Sequence, residues 1–498
     1  LFLEADISGF ETDLDPRNLF YQWRFNEGDE PTIFSSLSPG HPHGTGRDRV
    51  YGPWCVFSFT RPGRTIVTLT VTDGVRTGVA NISVETVSSD AYYLGRTHVV
   101  DPTGEFPGAP ENAIRHLSVE EAFDPADSVL NKRGRLLLRE GARFEAGRFP
   151  VEISSGGLHI ASFGPEGGRA IIENGQGPLL FRGMSEPVIL ERLSFEGRYD
   201  ASTGHGGGDA EDGLLFIDCT CPATVEGCRF SGHRAGIRAS GSASPELVIS
   251  DCTVENWLEN GLSSTCLHRS GIAGSVIAQI PTAGSGPDGV ASTWPRGGPV
   301  SLTGGGVTCC HQSELFSNSG KITIGGQEGA GHAECLRWNS EGLPDMAMNI
   351  ERSVLEGGRR VLMAAPEDGG RSELPPAFLF EKNYVLASAN THDILVLGLN
   401  GTFVRNNIVV RPETGKEFPV AGDSGIFVSW FFRGSESNDA RAVLNVLYNS
   451  FIDMNRTFKR PDWRQGDLFF RELPRGFTLA IIHPNNMNYA PNLERPRD

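Results

Sequence analysis

At 498 residues the chain is too long for one ordinary globular core, and with 38% apolar residues, 62 Gly and 31 Pro it has the composition of a folded, turn-rich protein. A formal net charge of −17 argues against nucleic acid or an anionic membrane surface as partner, and makes a strongly anionic glycan awkward unless cations or a local basic patch intervene. No run of about 18 apolar residues occurs, so the chain is not expected to be membrane-spanning; Leu1 follows no signal-like segment, which suggests a processed or partial chain.

The first ninety residues read as a separate unit. Thr65-Ile66-Val67-Thr68-Leu69-Thr70-Val71-Thr72 alternates strictly, which sets Val67, Leu69 and Val71 on one face and threonines on the other, and Asp73-Gly74 ends the strand in a turn. Tyr21, Trp23 and Phe25 alternate likewise, as expected of half-buried strands in an antiparallel sandwich. The stretches Tyr21 to Asn26 and Phe59 to Gly74 resemble the polycystic-kidney-disease (PKD) type of immunoglobulin-like domain, with Arg24 and Asn26 standing where that family usually has Asp and Gly. The resemblance implies a β-sandwich over 1–90 that acts as a spacer or adhesion module and carries no chemistry. The Gly- and Pro-containing loop from Ser35 to Tyr51, with His41 and His43, is expected to be a surface loop rather than a metal site.

Residues 91–130 form a linker. Ser118 and Glu121 make a capping box, and Val119, Ala122 and Phe123 an apolar stripe, so a short amphipathic helix is expected to cover the open N-terminal end of the second unit, 131–498. Arg135 to Arg139 is then read as the first strand of that unit.

The second unit is built on a recurring phrase: apolar, polar, any residue, then Cys, Ser or Asn, any residue, then Val or Phe. It occurs around Cys228, Cys252, Ser353, Asn383 and Asn407, with a looser copy at Asn449. The steps from Cys228 to Cys252 and from Asn383 to Asn407 are both 24 residues, and the 30-residue step from Ser353 to Asn383 implies an inserted loop. A fixed period of this size, made of short alternating Val/Ile/Phe runs broken by Gly, Asn, Asp and Ser, predicts a solenoid of stacked strands with those six residues as an inward ladder. With these features the chain resembles, over roughly residues 95–490, the pectin-lyase-like right-handed parallel β-helix superfamily. The predicted fold class is therefore all-β: an immunoglobulin-like sandwich followed by a right-handed parallel β-helix.

Nine cysteines leave at least one unpaired in a monomer. Cys228 and Cys252 are expected to be buried ladder thiols. Cys219, Cys221, Cys309 and Cys310 are close in sequence, but Cys219-Thr220-Cys221 is too tight for a zinc knuckle and no matching His/Cys set follows, so a structural zinc site is not expected.

Function should lie where the chain departs from its repeat, at three places. The insertion from Arg198 to Asp212 carries His205, Asp209, Glu211 and Asp212 in a Gly-rich loop; paired carboxylates there suit acid–base work on a glycosidic bond, with His205, Asp209 and Asp212 as candidates, or Ca²⁺ held by Asp209, Glu211 and Asp212. The insertion from Pro281 to Gly298 offers Trp294 and Arg296, and Trp257 lies near, a set that suits sugar stacking and hydrogen bonding to hydroxyls or carboxylates. The third place is His332 to Asn339, where alternation sets Arg337 outside the stack near Glu351, Arg352 and Glu356, with Arg359 and Arg360 following. In β-helix lyases a Lys or Arg removes the proton α to a uronate carboxylate, which makes Arg337 the catalytic candidate and Arg352 a substrate-binding one.

Gly204-His205-Gly206 matches a fragment of the polygalacturonase signature without its companion aspartate and Arg-x-Lys motifs. The Lys-Ser segment of alginate and chondroitin lyases, the Arg-x-Pro-x-x-Arg of pectate lyases and the Asp-Pro-His of mannuronan epimerases are also absent from the sequence. Two classes therefore stay open. One is a polysaccharide-binding spike or adhesin, extracellular, on a cell surface or on a virion surface, as a homotrimer or within a larger surface assembly. The other is an enzyme, a polysaccharide lyase before a glycoside hydrolase, with Ca²⁺ as the cofactor to look for.

Overall fold

A computed structural model describes most of residues 2–278 and, from 300 to 489, mainly the strands of successive coils; residues 11–18, 27–48, 201–205, 279–299, 365–376, 411–423, 429–440 and 453–467 are among those outside the described set. Nearly all regular structure is β, as expected from the Val, Ile, Thr and Phe runs between turn residues.

From residue 97 onward the strands of the coils pair in parallel, each with the equivalent strand one turn of chain later, and a short antiparallel hairpin, Lys321–Ile324 with Gln327–Ala330, stands apart from them. Three faces result. The first is a 14-stranded sheet beginning with Ile114–His116, Thr97–Val100 and Arg135–Arg139 and ending at Thr478–Ile482. Arg135–Arg139 is thus the third strand of that face, because the linker contributes two: Thr97–Val100 pairs in register with it (Thr97↔Arg135, Val100↔Leu138), and Ile114–His116 pairs with the other edge of Thr97–Val100. A second ladder starts at Arg143–Glu145 and a third at Leu179–Arg182, and they merge where Arg229–Ser240 and Thr253–Ser264 run unbroken from the second face into the third. The chain is a parallel β-solenoid whose core is a stack of in-register apolar columns. On the first face one column runs Leu190, Val225, Ile249, Ile272, Cys310, Ile350, Phe380. On the second, Phe195 stacks on Phe230 at 4.6 Å.

At the corner between the first and second faces the coil turns on a residue with left-handed φ, among the described residues Gly227, Asp251, Gly274, Arg352 and Lys382. The residue after it points inward. These form the expected ladder, extended by Ser275 and Ser313: Cys252, Ser275, Ser313, Ser353, Asn383 and Asn407 each donate the backbone N–H to the side-chain oxygen on the next coil, over 2.9 to 3.3 Å. Cys228 and Cys252 are buried and their thiols donate to core carbonyls, Leu190 O and Val225 O among them. The αL turn leaves these amides without a strand partner inside the core, where an unpaired donor is costly, so the ladder side chains satisfy what the turn creates.

The cap forms as expected. Ser118 Oγ accepts the Glu121 N–H, Glu121 Oε2 accepts the Leu117 N–H, and Val119 and Ala122 of the helix Val119–Ala122 are buried on the first coils.

The N-terminal unit contains an antiparallel sheet in the order Arg49–Tyr51, Phe20–Asn26, Gly63–Thr72, Thr77–Thr86. Tyr21, Trp23 and Phe25 pair with Val71, Leu69 and Val67, and all six are buried. Its core is shared with the solenoid. Val56 and Cys55 cluster with Val248, Ala273 and Cys309, outward-facing residues of the first face, and Asn349 donates to Trp54 O at 3.0 Å. A Cβ on Gly271 would lie 2.1 Å from Val56 Cγ1, so the strand Trp54–Val56 rests directly on the solenoid backbone.

Candidate functional site

Among the described residues the coil departs from its regular pattern at the corner between the second and third faces, residues 229–264. Here two strands cross the corner with no loop. The parallel register shifts between His233 and Ala235, so Thr253–Ser264 holds one extra residue opposite Arg234, a bulge that re-aims neighbouring side chains. Gly232 has φ +82 and Asn256 φ +56, and a Cβ on Gly232 would lie 2.8 Å from Gly197 O, which leaves glycine as the fitting residue.

The insertion that follows Arg198 returns onto this corner. Tyr199, Ala210 and Leu258 form a small apolar cluster, Tyr199 N–H donates to Gly232 O, and Asn256 Nδ2 donates to Tyr199 O at 2.8 Å. Asp212, at the end of the insertion, is buried. Its carboxylate accepts Arg234 Nε at 3.1 Å and Nη2 at 2.8 Å, accepts the Ala235 N–H at 3.2 Å, and lies 3.3 Å from Arg238 Nε. Arg238 in turn donates to Glu259 at 2.6 Å, and Arg229 to Glu255 at 3.0 Å through Nε. A strip of paired guanidiniums and carboxylates, partly open to solvent, therefore crosses the corner.

His233 sits behind it. Since Phe195 O can only accept, Nε2, 3.1 Å away, carries the proton, and Nδ1 has no hydrogen-bond partner among the described residues. Burial pulls the imidazole down to about 4, so it is neutral at pH 7. Burial likewise pushes the Tyr199 phenol up, and the Cys221, Cys266 and Cys310 thiols up to about 11, which removes these groups as ready bases or thiolate nucleophiles.

The expected site residues that are among the described ones do not assemble into one centre. Asp212 is paired with two arginines, so a Ca²⁺ ion there would have to displace both guanidiniums. Asp209 and Glu211 are exposed beside it, and His205 lies outside the described residues. Trp257 is fully buried in the solenoid core, in register with His233, so it is no sugar platform; the strand carries it inward at the corner. Trp294 and Arg296 lie outside the described residues, as does Arg359.

Arg337 lies on the third face, in register with Ser301 and Met363, so its neighbour on the next coil is Met363 rather than Arg352 or Glu356, which belong to another corner and another face. Leu214, Ile237, Leu262, Val300 and Leu336 stack in register. Four steps of that column put Arg337 roughly 19 Å along the axis from Asp212 at about 4.8 Å per strand. Arg352 occupies a left-handed turn with Nε 3.6 Å from the buried Glu351 carboxylate. Sequence reasoning missed Arg234, Arg238, Glu255 and Glu259. The signal was the two long unbroken strands 24 residues apart, charged at their outward positions.

Among the described residues no group of three or more His, Cys, Asp or Glu side chains is placed to hold a metal ion, and no helix is long and apolar enough to cross a membrane. The fold and corner define an all-β protein with a parallel β-solenoid. Compared with known proteins, the chain matches no family model, no curated protein and no solved structure.

Proposed function

We propose that this chain is a surface-displayed β-solenoid that binds polysaccharide along its outer face, with the corner at 229–264 as the binding strip. The observation that carries the reading is the row Arg229–Glu255, Arg234–Asp212, Arg238–Glu259 on a rigid sheet, with Asn256 beside it and the 198–212 insertion folded against its edge. Partly exposed guanidinium–carboxylate pairs keep spare donors and acceptors, which suits sugar hydroxyls that give and take hydrogen bonds at once. A sheet held by coil-to-coil pairing presents them at fixed spacing, so little ordering is needed on binding.

In this reading the likeness to pectin-lyase-like β-helices lies in architecture, and the PKD-like sheet braces the solenoid and joins it to a larger extracellular or virion surface assembly, as a trimer or otherwise. Glycan cleavage is the alternative. It is favoured by the convergence of two carboxylates, Asp212 and Glu259, on one guanidinium, the residue type needed for acid–base chemistry on a glycosidic bond.

The test is affinity electrophoresis on gels cast with a polysaccharide panel, with product assays for unsaturated uronates and new reducing ends. Retardation that is lost in Arg229→Ala/Glu255→Ala, without product, supports binding. Product formation moves the reading to an enzyme, and absence of both sinks it.

A further inference from the structure

The charge arrangement of the strip narrows the ligand, given the glycan reading above on which this step rests. Arg229, Arg234 and Arg238 each already hold a carboxylate: Glu255, Asp212 and Glu259. At the rim Arg198 adds one exposed cation, and Asp200, Asp209 and Glu211 add three carboxylates, so the strip holds more carboxylates than guanidiniums. The whole chain repeats that sign, with 61 Asp and Glu against 44 Lys and Arg.

A uronate or sulfate group approaching this strip either accepts from a spare guanidinium N–H beside a carboxylate that already neutralises that arginine, or displaces that carboxylate. In both cases two anions face each other at one guanidinium; like charges held that close repel, and a partly desolvated carboxylate that loses its arginine keeps its desolvation penalty. A hydroxyl makes no such demand: it donates to a carboxylate lone pair and accepts from a guanidinium N–H without breaking the pair.

We propose that the 229–264 corner recognises a neutral, hydroxyl-rich glycan and excludes polyuronates by the self-neutralised charge of its arginines. Specificity then comes from repulsion of the wrong ligand as much as from attraction of the right one. Because the ligand is uncharged, its binding is insensitive to ionic strength, whereas a polyanion held by free arginines weakens steeply as salt rises.

The experiment uses the full chain and four probes: mixed-linkage β-glucan and galactomannan as neutral chains, polygalacturonate and alginate as anionic ones. Retention of a neutral probe, changed less than about twofold between roughly 0.02 and 0.5 M salt, with no retention of the anionic probes, is the expected result. A double variant, Glu255→Gln/Glu259→Gln, frees the exposed Arg229 and leaves the half-buried Arg238 with Asp212 alone, so the strip loses two negative charges. It should gain polygalacturonate binding by about tenfold or more at low salt and lose that gain at high salt, while its thermal unfolding stays that of the parent. Retention of polygalacturonate or alginate in preference to the neutral chains by the parent overturns the ligand class and leaves glycan binding standing. Retention of none of the four overturns both.

Discussion

Asn407→Ala tests whether the inward ladder holds the coils together. The side chain of Asn407 is buried; its Oδ1 accepts the Asn383 N–H at 2.9 Å, and its Nδ2 donates to Phe380 O and to Asn449 Oδ1, each at 2.9 Å. Oδ1 also accepts from Asn383 Nδ2 at 3.1 Å, so alanine removes four bonds at once and leaves a backbone N–H, a backbone carbonyl and two side-chain amide groups without these partners in the core. A buried polar group that loses its partner costs about 1–3 kcal/mol, and allowing for partial relaxation the sum is roughly 3–6 kcal/mol. Ser353→Ala is the calibrating variant. Ser353 Oγ accepts the Ser313 N–H, donates back to Glu351 O and meets the weakly bonding Cys310 Sγ at 3.7 Å, so its loss should cost roughly 1–2 kcal/mol. Since a solenoid need not unfold as one unit, urea titration is to be joined with amide exchange, which should accelerate at Asn383 in Asn407→Ala and at Ser313 in Ser353→Ala. A cost below about 1 kcal/mol for Asn407→Ala, with the Asn383 amide still protected, would refute the reasoning.

Asp212→Asn removes the charge shared by Arg234 and Arg238. With both arginines partly exposed, a loss of roughly 1–3 kcal/mol is expected, together with a more mobile 198–212 insertion in hydrogen exchange. Trp257→Ala should destabilise by about 3–5 kcal/mol, whereas Trp257→Phe should keep glycan affinity unchanged; a selective loss of affinity in the phenylalanine variant would mean that Trp257 touches the ligand. His233, pulled to about 4 by burial, takes up its proton more readily in the unfolded chain, whose value is about 6.5. Stability should therefore fall as pH drops below about 6.5, by up to about 3 kcal/mol near pH 4, and His233→Gln should flatten that part of the profile in pH-dependent urea melts. Gly271→Ala drives a methyl into Val56 and should loosen the N-terminal sheet from the solenoid, seen as faster exchange in 54–56 with the distant ladder unaffected.

Much of the fold was legible because parallel stacking repeats its demands. A buried N–H at every turn calls for a side-chain acceptor on every coil, and that demand wrote the Cys, Ser and Asn series into the sequence. Ser275 and Ser313 escaped notice for local reasons. Ala273 stands where the phrase has a polar residue, while Cys310 stands at its first apolar position. The alternation of Val67, Leu69 and Val71 and the capping role of Ser118 were equally local, and both hold in the structure.

The site was less legible. Asp212 reads as one more acidic loop residue until the return of the chain presses it between Arg234 and Arg238. Trp257 reads as a loop platform until the strand is seen to continue through the corner, and one bulged residue decides which neighbours face the core. Arg337 and Arg352 are close in sequence to a shared set of charges, yet a coil sends them to different faces. Sequence proximity within a period says little about proximity across it.

Hydrogen exchange of the full chain, with and without a saturating neutral polysaccharide, bears most directly on the central claim. Protection confined to Arg229–Ser240, Thr253–Ser264 and the adjoining segment 209–212 is the predicted result. Protection at other coils, or none despite retention of the glycan, would contradict it.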